Sequence, residues 1–434
     1  MTAPLDRRRL LGLSASAFVV LAAEPLYLLV DTAVVGHLGT TALAALGIAA
    51  AAIELGVLFG SFVEYGTTSR GARWFGAGDR IAAVNEGVQA SWLALVIGGL
   101  VVVVGECVAA PLVHGLGGSH HAVVASALGW LRIALLGLPA VLLVLAGNGW
   151  MRGVQQTRAP VLIVLGANAL SAGLSPILVY PLGLGLPGSA IANVTGQYVG
   201  AAMFLIALRR AGTGLRPRWS VIRAQVGLGR DLLVRSVAFQ IAFLCAAAVA
   251  ARFGPAPIAA HQIGLQLWNF TALLLDSFAI AAQSVVGAAL GANEAGQARQ
   301  VAAQVARWGG YAGVVIGALF AAGWSGIPAL FSADPAVQAQ AHQIWPWLVA
   351  LMPVAGVVFA LDGVLIGAGD VAFLRTLTLV AGLAFFAPLD LAALHWQWGL
   401  RGVWTGLGAF MLVRLVGMLA RVRGRQWLVL GTVT

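Results

Sequence analysis

The sequence predicts an all-α membrane protein with twelve transmembrane helices in two pseudo-symmetric six-helix lobes. Three observations carry that expectation: an extreme apolar composition, apolar runs that recur at spanning length, and a second half that echoes the first. Of 434 residues, 60% are hydrophobic and 9% are charged, with a mean hydropathy of +0.92, whereas a soluble domain is about 45–50% apolar and about 25% charged. A helix needs about 20 apolar residues to cross the hydrocarbon layer, and runs of that size follow one another from end to end. Proline, glycine and arginine divide them into spans near 10–36, 42–67, 84–110, 122–148, 158–181 and 187–208. The second half gives spans near 231–253, 257–289, 300–327, 340–367, 371–393 and 400–420. Residues 1–208 are expected to form an N-terminal lobe and 231–434 a C-terminal lobe. Between them, 209–230 is the longest and most basic connection and reads as a cytoplasmic linker.

The echo between halves is direct. LGTTALAAL at 38–46 returns as FGPAPIAAH at 253–261, setting Gly39 against Gly254 and Ala44 against Ala259, about 215 positions apart. WFGAGD and ALGANE keep that offset, with Gly76 against Gly291. LPAVLLVLAGNGWMRG at 138–153 and MPVAGVVFALDGVLIG at 352–367 hold it at about 214, pairing Pro139 with Pro353 and Gly153 with Gly367. Short matches among small residues arise by chance, but agreement at one offset over four spans does not. Six spans is an even number, so both copies enter the membrane from the same side. The repeat is therefore parallel, with its pseudo-two-fold axis along the membrane normal. Such a pair of bundles encloses a cavity that opens to either face by rocking.

The formal charge is +10, and every basic residue is Arg. Arg7, Arg8 and Arg9, Arg70 to Arg80, Arg152 and Arg158, Arg209 to Arg230, and Arg421 to Arg425 fall in alternate connections and at both ends. The intervening segments near 36–41, 111–121, 181–188 and 332–337 contain none, and Arg252 and Arg401 are the exceptions. By the positive-inside rule the Arg-bearing ends are cytoplasmic. A multi-pass protein of the cytoplasmic membrane with both termini inside is expected, and arginines that set topology make no case for nucleic acid. The opening MTAPLDRRRLLGLSASAF resembles a secretory or twin-arginine signal, yet its apolar run continues to Val35, beyond the usual 7–15 residues of a signal core. It is better read as the first span. Cys107 and Cys245 lie in apolar runs and are expected to be buried thiols.

A carboxylate in the bilayer core costs at least about 2.5–3.5 kcal/mol on insertion scales, so acids inside spans are functional candidates. Away from span ends these are Glu24, Asp31, Glu54, Glu106, Asp276, Asp362 and Asp390; Glu64 and Glu86 read as interfacial. Glu24 and Asp31 are two helical turns apart and project from one face of the first span. Pro25 between them offers a hinge. Two acids on one face beside a hinge suit a proton or cation site tied to a conformational change. The alternative is helix glue, with Tyr27 as a partner. Asn168, Ser171 and Ser175 share one face of the fifth span, and Asn193, Thr195 and Gln197 add polar groups to the sixth. They read either as interhelical hydrogen-bond donors or as the groups that hold Asp31. In the second half, His261, Gln262, Gln266 and Asn269 form a polar stretch with Trp268 as an aromatic cavity candidate, followed by Asp276, Gln283 and Asp362. Asp362 stands at the repeat position of Asn148. His and Cys show no metal-ligand spacing, and no nucleophile motif or phosphate-cradling loop is present, so neither an enzyme nor a cofactor is expected.

LVDTAVVGHLG (29–39), RGVQQTRAPVLIVLGANAL (152–170), LLLDSFAIAAQ (273–283) and PVAGVVFALDGVLIGAG (353–369) resemble multidrug and toxic compound extrusion transporters. The likeness is to the branch named after the DNA-damage-inducible protein F. The resemblance implies two six-helix lobes, a central cavity, and export of small amphiphilic or cationic organic compounds from a membrane against an inward flow of protons or sodium. A monomer without a cofactor is expected. The resemblance assigns cation coupling to Asp31, with Pro25 as the bend and Asn168, Ser171 and Asn193 as polar partners. Asp276 and Asp362 would be the second-lobe acids. One departure stands out: the fifth-helix pattern commonly ends in Leu-Asp, and here Leu174 is followed by Ser175 and Pro176. Glu24 is the replacement that helical spacing suggests. Rival readings are a lipid-linked precursor flippase, which would line its cavity with arginines such as Arg132, Arg235 or Arg414, and an integral membrane enzyme.

Overall fold

The computed structural model describes residues 7–117 and 120–432. The first six residues of the signal-like opening, and Gly118 and Ser119 within the Arg-free stretch 111–121, lie outside the described residues. Among those described there are helices and no strands, and twelve helical segments are long and apolar enough to cross a membrane.

In chain order the first six are α1 (Arg7–Gly36), α2 (Thr40–Gly76), α3 (Arg80–Gly117), α4 (His121–Gly153), α5 (Arg158–Val179) and α6 (Leu186–Arg210). Then come α7 (Trp219–Arg252), α8 (Pro255–Gly291), α9 (Ala295–Ala322), a short α10 (Gly326–Phe331) and α11 (Pro335–Gly367). The eleventh span is composite: α12 (Val371–Val380), a π-helical stretch (Ala381–Phe386) and α13 (Ala387–His395), before the closing α14 (Gly399–Arg423). Pro388 explains the widened turn, because its ring supplies no amide donor to the preceding turn. The Ala387 amide reaches back five residues to the Gly382 carbonyl. Several helices exceed the expected spans. With 37 residues, α2 is about 55 Å long at 1.5 Å per residue, so it continues past a hydrocarbon layer of about 30 Å.

The chain divides into two compact units, Ala15–Gly229 and Arg230–Gly431, the latter counted with the opening residues to Ser14. In the first, α4 packs against α2, α3 and α6 over a core that includes Val113, Trp130, Leu131, Leu135, Leu138 and Leu186. In the second, α11 packs against α8, α9 and α14. The repeat recurs in backbone detail. α2 and α8 each follow a glycine with a φ that side chains rarely adopt, 114° at Gly39 and 116° at Gly254. α4 crosses α2 with Gly149 set on the Glu64 carbonyl, where an added Cβ would lie 2.5 Å away. α11 crosses α8 in the same manner, with Gly363 on the Ala279 carbonyl at 2.0 Å.

One expectation gains detail and another is corrected. The stretch 209–230 is helical from Trp219, because Ile222, Gln225 and Gly229 bury one face while Arg223 and Val226 face outward. Only 211–218 is non-helical. Cys107 and Cys245 are exposed free thiols on α3 and α7: in a membrane span an outward-facing apolar side chain meets lipid, so an apolar run does not imply burial.

Candidate functional site

Within the first unit, α1, α2, α4, α5 and α6 surround a cavity of about 510 Å³. α1 contributes Glu24, Tyr27 and Asp31 to its wall, so the face that helical spacing assigned to the two acids is the face turned inward. Tyr27 sits between them on the same face and is buried. Asp31 is buried at 2% exposure. Its Oδ1 accepts a 2.7 Å hydrogen bond from the Ser175 hydroxyl of α5. Ser189 of α6 is a second hydroxyl at that carboxylate, and its oxygen accepts from Trp130 Nε1 at 2.9 Å. The position that lacks the expected acid therefore supplies a donor. A hydrogen bond to a charged group is worth about 1.5–3 kcal/mol, enough to set how readily Asp31 holds or yields a proton. Glu24, two turns away, is hydrogen-bonded by the Gln197 amide of α6.

Asn168 and Asn193 also face the cavity, but the Asn168 amide donates to the Val164 carbonyl of its own helix at 3.1 Å. Ser171 is placed elsewhere: it donates to Ala167 O at 3.2 Å and packs on Gly196 of α6, where an added Cβ would lie 1.9 Å from its Oγ. It is helix packing, not cavity wall. Pro25 lies within an unbroken α1.

The same cavity holds groups beyond the expected coupling set. Glu54 of α2 lines it, and beyond Asn148 its wall includes Glu64 and Arg152, which form a buried ion pair between α2 and α4. Below it Arg70 grips Glu86 with two hydrogen bonds of 2.9 Å. Glu64 and Glu86, read as interfacial, are thus each committed to an arginine. Glu106, a candidate acid of the third span, faces Arg132 at 3.5 Å.

The second unit does not bring its predicted residues together. His261 is fully buried, edge-on to Trp404 with ring centroids 6.1 Å apart. It shares a buried stripe of α8 with Gly264, Trp268 and Thr271. Gln262, Gln266 and Asn269 are on the exposed side. Trp268 borders an apolar crevice of about 10 Å³ with Phe243, Leu351 and Phe410, room for one water molecule at most. Asp276 is half-buried on α8. Asp362 is not an open carboxylate: its Oδ2 accepts from Arg235 of α7 at 2.7 Å and from Arg414 of α14 at 2.5 Å. Two guanidiniums share that one oxygen, so a coupling cation would have to approach the carboxylate through a field of like sign.

These features coincide with what comparison finds. The MatE family model matches residues 16–177 and 232–390, most of the chain. Among similar proteins, Protein DETOXIFICATION 44, chloroplastic, of Arabidopsis thaliana is 33% identical over 425 residues, covering 94% of this chain and 80% of its own. DNA damage-inducible protein F of Escherichia coli (strain K12) is 32% identical over 413 residues, covering 93% and 89%. A crystal structure of a MATE protein in the bent conformation superposes with a TM-score of 0.89 at 22% identity, over 96% of this chain and 95% of that one. With the family model spanning both halves and two relatives above 30% identity over nearly the full length, the chain belongs to the MatE family of multi-pass membrane transporters.

Proposed function

We propose that this transporter exports small amphiphilic organic compounds, cations among them, in exchange for protons, and that Asp31 is the coupling acid. The observation that carries the reading is the Asp31 carboxylate, buried in a cavity wall and held by Ser175 at 2.7 Å. A buried acid with an adjustable hydroxyl partner can exchange a proton without leaving a bare charge in the span. Protonation removes the charge and favours bending of α1 at Pro25. Deprotonation restores an anion that, with Glu24 and Glu54 on the same cavity, attracts an organic cation. Glu24 takes the part of the acid missing at Ser175, Asn168 and Asn193 line the substrate's path, and Ser171 supports the α5–α6 contact. What supports a proton as the coupling ion is the Ser175 hydroxyl, which can donate to the Asp31 anion and rotate to accept from the acid.

The remaining assignments are part of the same reading: a monomer in the cytoplasmic membrane, both termini on the Arg-bearing cytoplasmic side, no cofactor, and lobes 1–208 and 231–434 that rock about the connection 209–230. Inverted vesicles with a panel of cationic dyes added outside test it. An imposed pH gradient should drive dye movement and a sodium gradient should not, and Asp31→Asn should insert normally yet lose the driven movement. Sodium-driven transport at constant pH would replace the proton reading.

A further inference from the structure

We propose that the cluster Arg235–Asp362–Arg414 of the second unit is an anion-binding subsite, which takes the carboxylate or phosphate group of an amphiphilic organic anion. This second ligand class deepens the export reading and rests on it. The cluster holds two guanidiniums and one carboxylate, joined through the single oxygen Asp362 Oδ2, and so carries one unbalanced positive charge. Arg414 is 1% exposed and Asp362 is 6% exposed. A surplus buried charge inside a membrane span is paired or faces a ligand path. The hydrogen-bonding capacity is also unfilled: Arg235 Nε, Arg414 Nε and Asp362 Oδ1 are buried without a partner.

The acids around the cluster do not supply the missing charge. Asp231, one turn before Arg235 on α7, is taken by Arg375 at 2.7 Å and Arg230 at 3.2 Å. Asp370 is held by Arg421 at 2.6 Å. Asp390 lies beside Gly406 and Phe386, about two helical turns of α14 before Arg414. Phe239 offers partial compensation, its ring 4.5 Å from Arg414 Cζ and 5.3 Å from Arg235 Cζ. A ring face attracts cations, yet it cannot fill a guanidinium's hydrogen bonds. The same ring gives an amphiphile an apolar surface next to the charge. Arg235 provides access: it is the least buried member, with a side chain 13% exposed, on a helix whose Val234, Val237 and Ile241 are exposed. Planar guanidiniums match carboxylate and phosphate geometry better than any other side chain.

The test uses the full chain in nanodiscs of phosphatidylcholine, titrated with dansyl-undecanoic acid and with the amine of the same skeleton. The carboxylate should bind saturably. Arg235→Gln should weaken it about tenfold, and Asp362→Asn, which raises the cluster charge, should tighten it, while amine binding follows neither change. A charge cluster that only supports the fold would shift carboxylate binding the same way in both variants, and that result overturns the proposal. Absence of saturable carboxylate binding to the parent overturns it without any variant. Repeating the titration in nanodiscs containing phosphatidylglycerol identifies the source of the anion: competition means a lipid headgroup occupies the subsite, and its lack means a free amphiphile does. The carboxylate titration reads binding without a gradient and the Asp31→Asn assay reads gradient-driven movement, so failure of one is distinguishable from failure of the other.

Discussion

Ser175 and Arg152 show how far single residues were legible. Glu24 and Asp31 could be assigned to one face because helical periodicity fixes the angle between positions on one helix, and both line the cavity. The partner of Asp31 could not, since a hydroxyl in a membrane helix bonds its own backbone by default, as Ser171 and Thr195 do. Which serine turns outward depends on the rotation of α5 about its axis, a tertiary quantity. The same holds for Arg152, which reads as a topology signal and is in fact paired with Glu64 inside the first unit. Removing one member of a buried pair costs about 3–5 kcal/mol, whereas replacing both with apolar residues is close to neutral. Arg152→Leu should therefore lower the thermal unfolding midpoint in detergent strongly, and Glu64→Leu/Arg152→Leu should recover most of the loss. An additive double variant would mean that the ion pair contributes nothing to the unit's packing.

Helices and their crossings were legible where the repeat marked them, since Gly153 and Gly367 were already paired by sequence and both close the crossing of α4 or α11 on its neighbour. Gly363→Ala should destabilise the second unit by about 1–3 kcal/mol through overpacking, because its Cβ would lie 2.0 Å from the Ala279 carbonyl. Gly99→Ala on α3, with open space around it, should be neutral or slightly stabilising. Thermal unfolding of the two variants side by side distinguishes crowding from a general intolerance of side chains. The connection 209–230 was legible as a boundary but not as an ordered element. Its path is fixed by side chains far away in sequence: Trp92 Nε1 donates to Leu215 O at 2.8 Å, and Gln89 bonds Arg216 O at 3.0 Å and the Arg218 amide at 2.6 Å. Gln225 then donates to Glu86 at 2.8 Å. Gln89→Ala combined with Trp92→Ala should speed tryptic cleavage at Arg216 and Arg218 several-fold, and unchanged cleavage would mean that the connection is not held by α3.

At the scale of the whole molecule, composition and run length dictated a twelve-helix membrane protein, because a bilayer admits few alternatives to helices that satisfy their own backbones. The proposed orientation rests on the arginine distribution. In a background without Cys107 and Cys245, a cysteine at Gly214 should react with an impermeant maleimide only from the cytoplasmic side and one at Leu184 only from outside; the reverse pattern would invert the topology. The charge distribution also separates the two units. The first presents acids to a cavity, and the second locks its tenth-span acid between two arginines, a contrast that supports the proposed coupling role of α1. Proton movement at Asp31 is the centre of the account, and proteoliposomes with an internal pH dye measure it directly. On addition of an exported compound, the parent should move protons opposite to the compound, and Asp31→Asn should bind that compound while moving none. Proton movement by Asp31→Asn at the parent's rate would contradict the assignment.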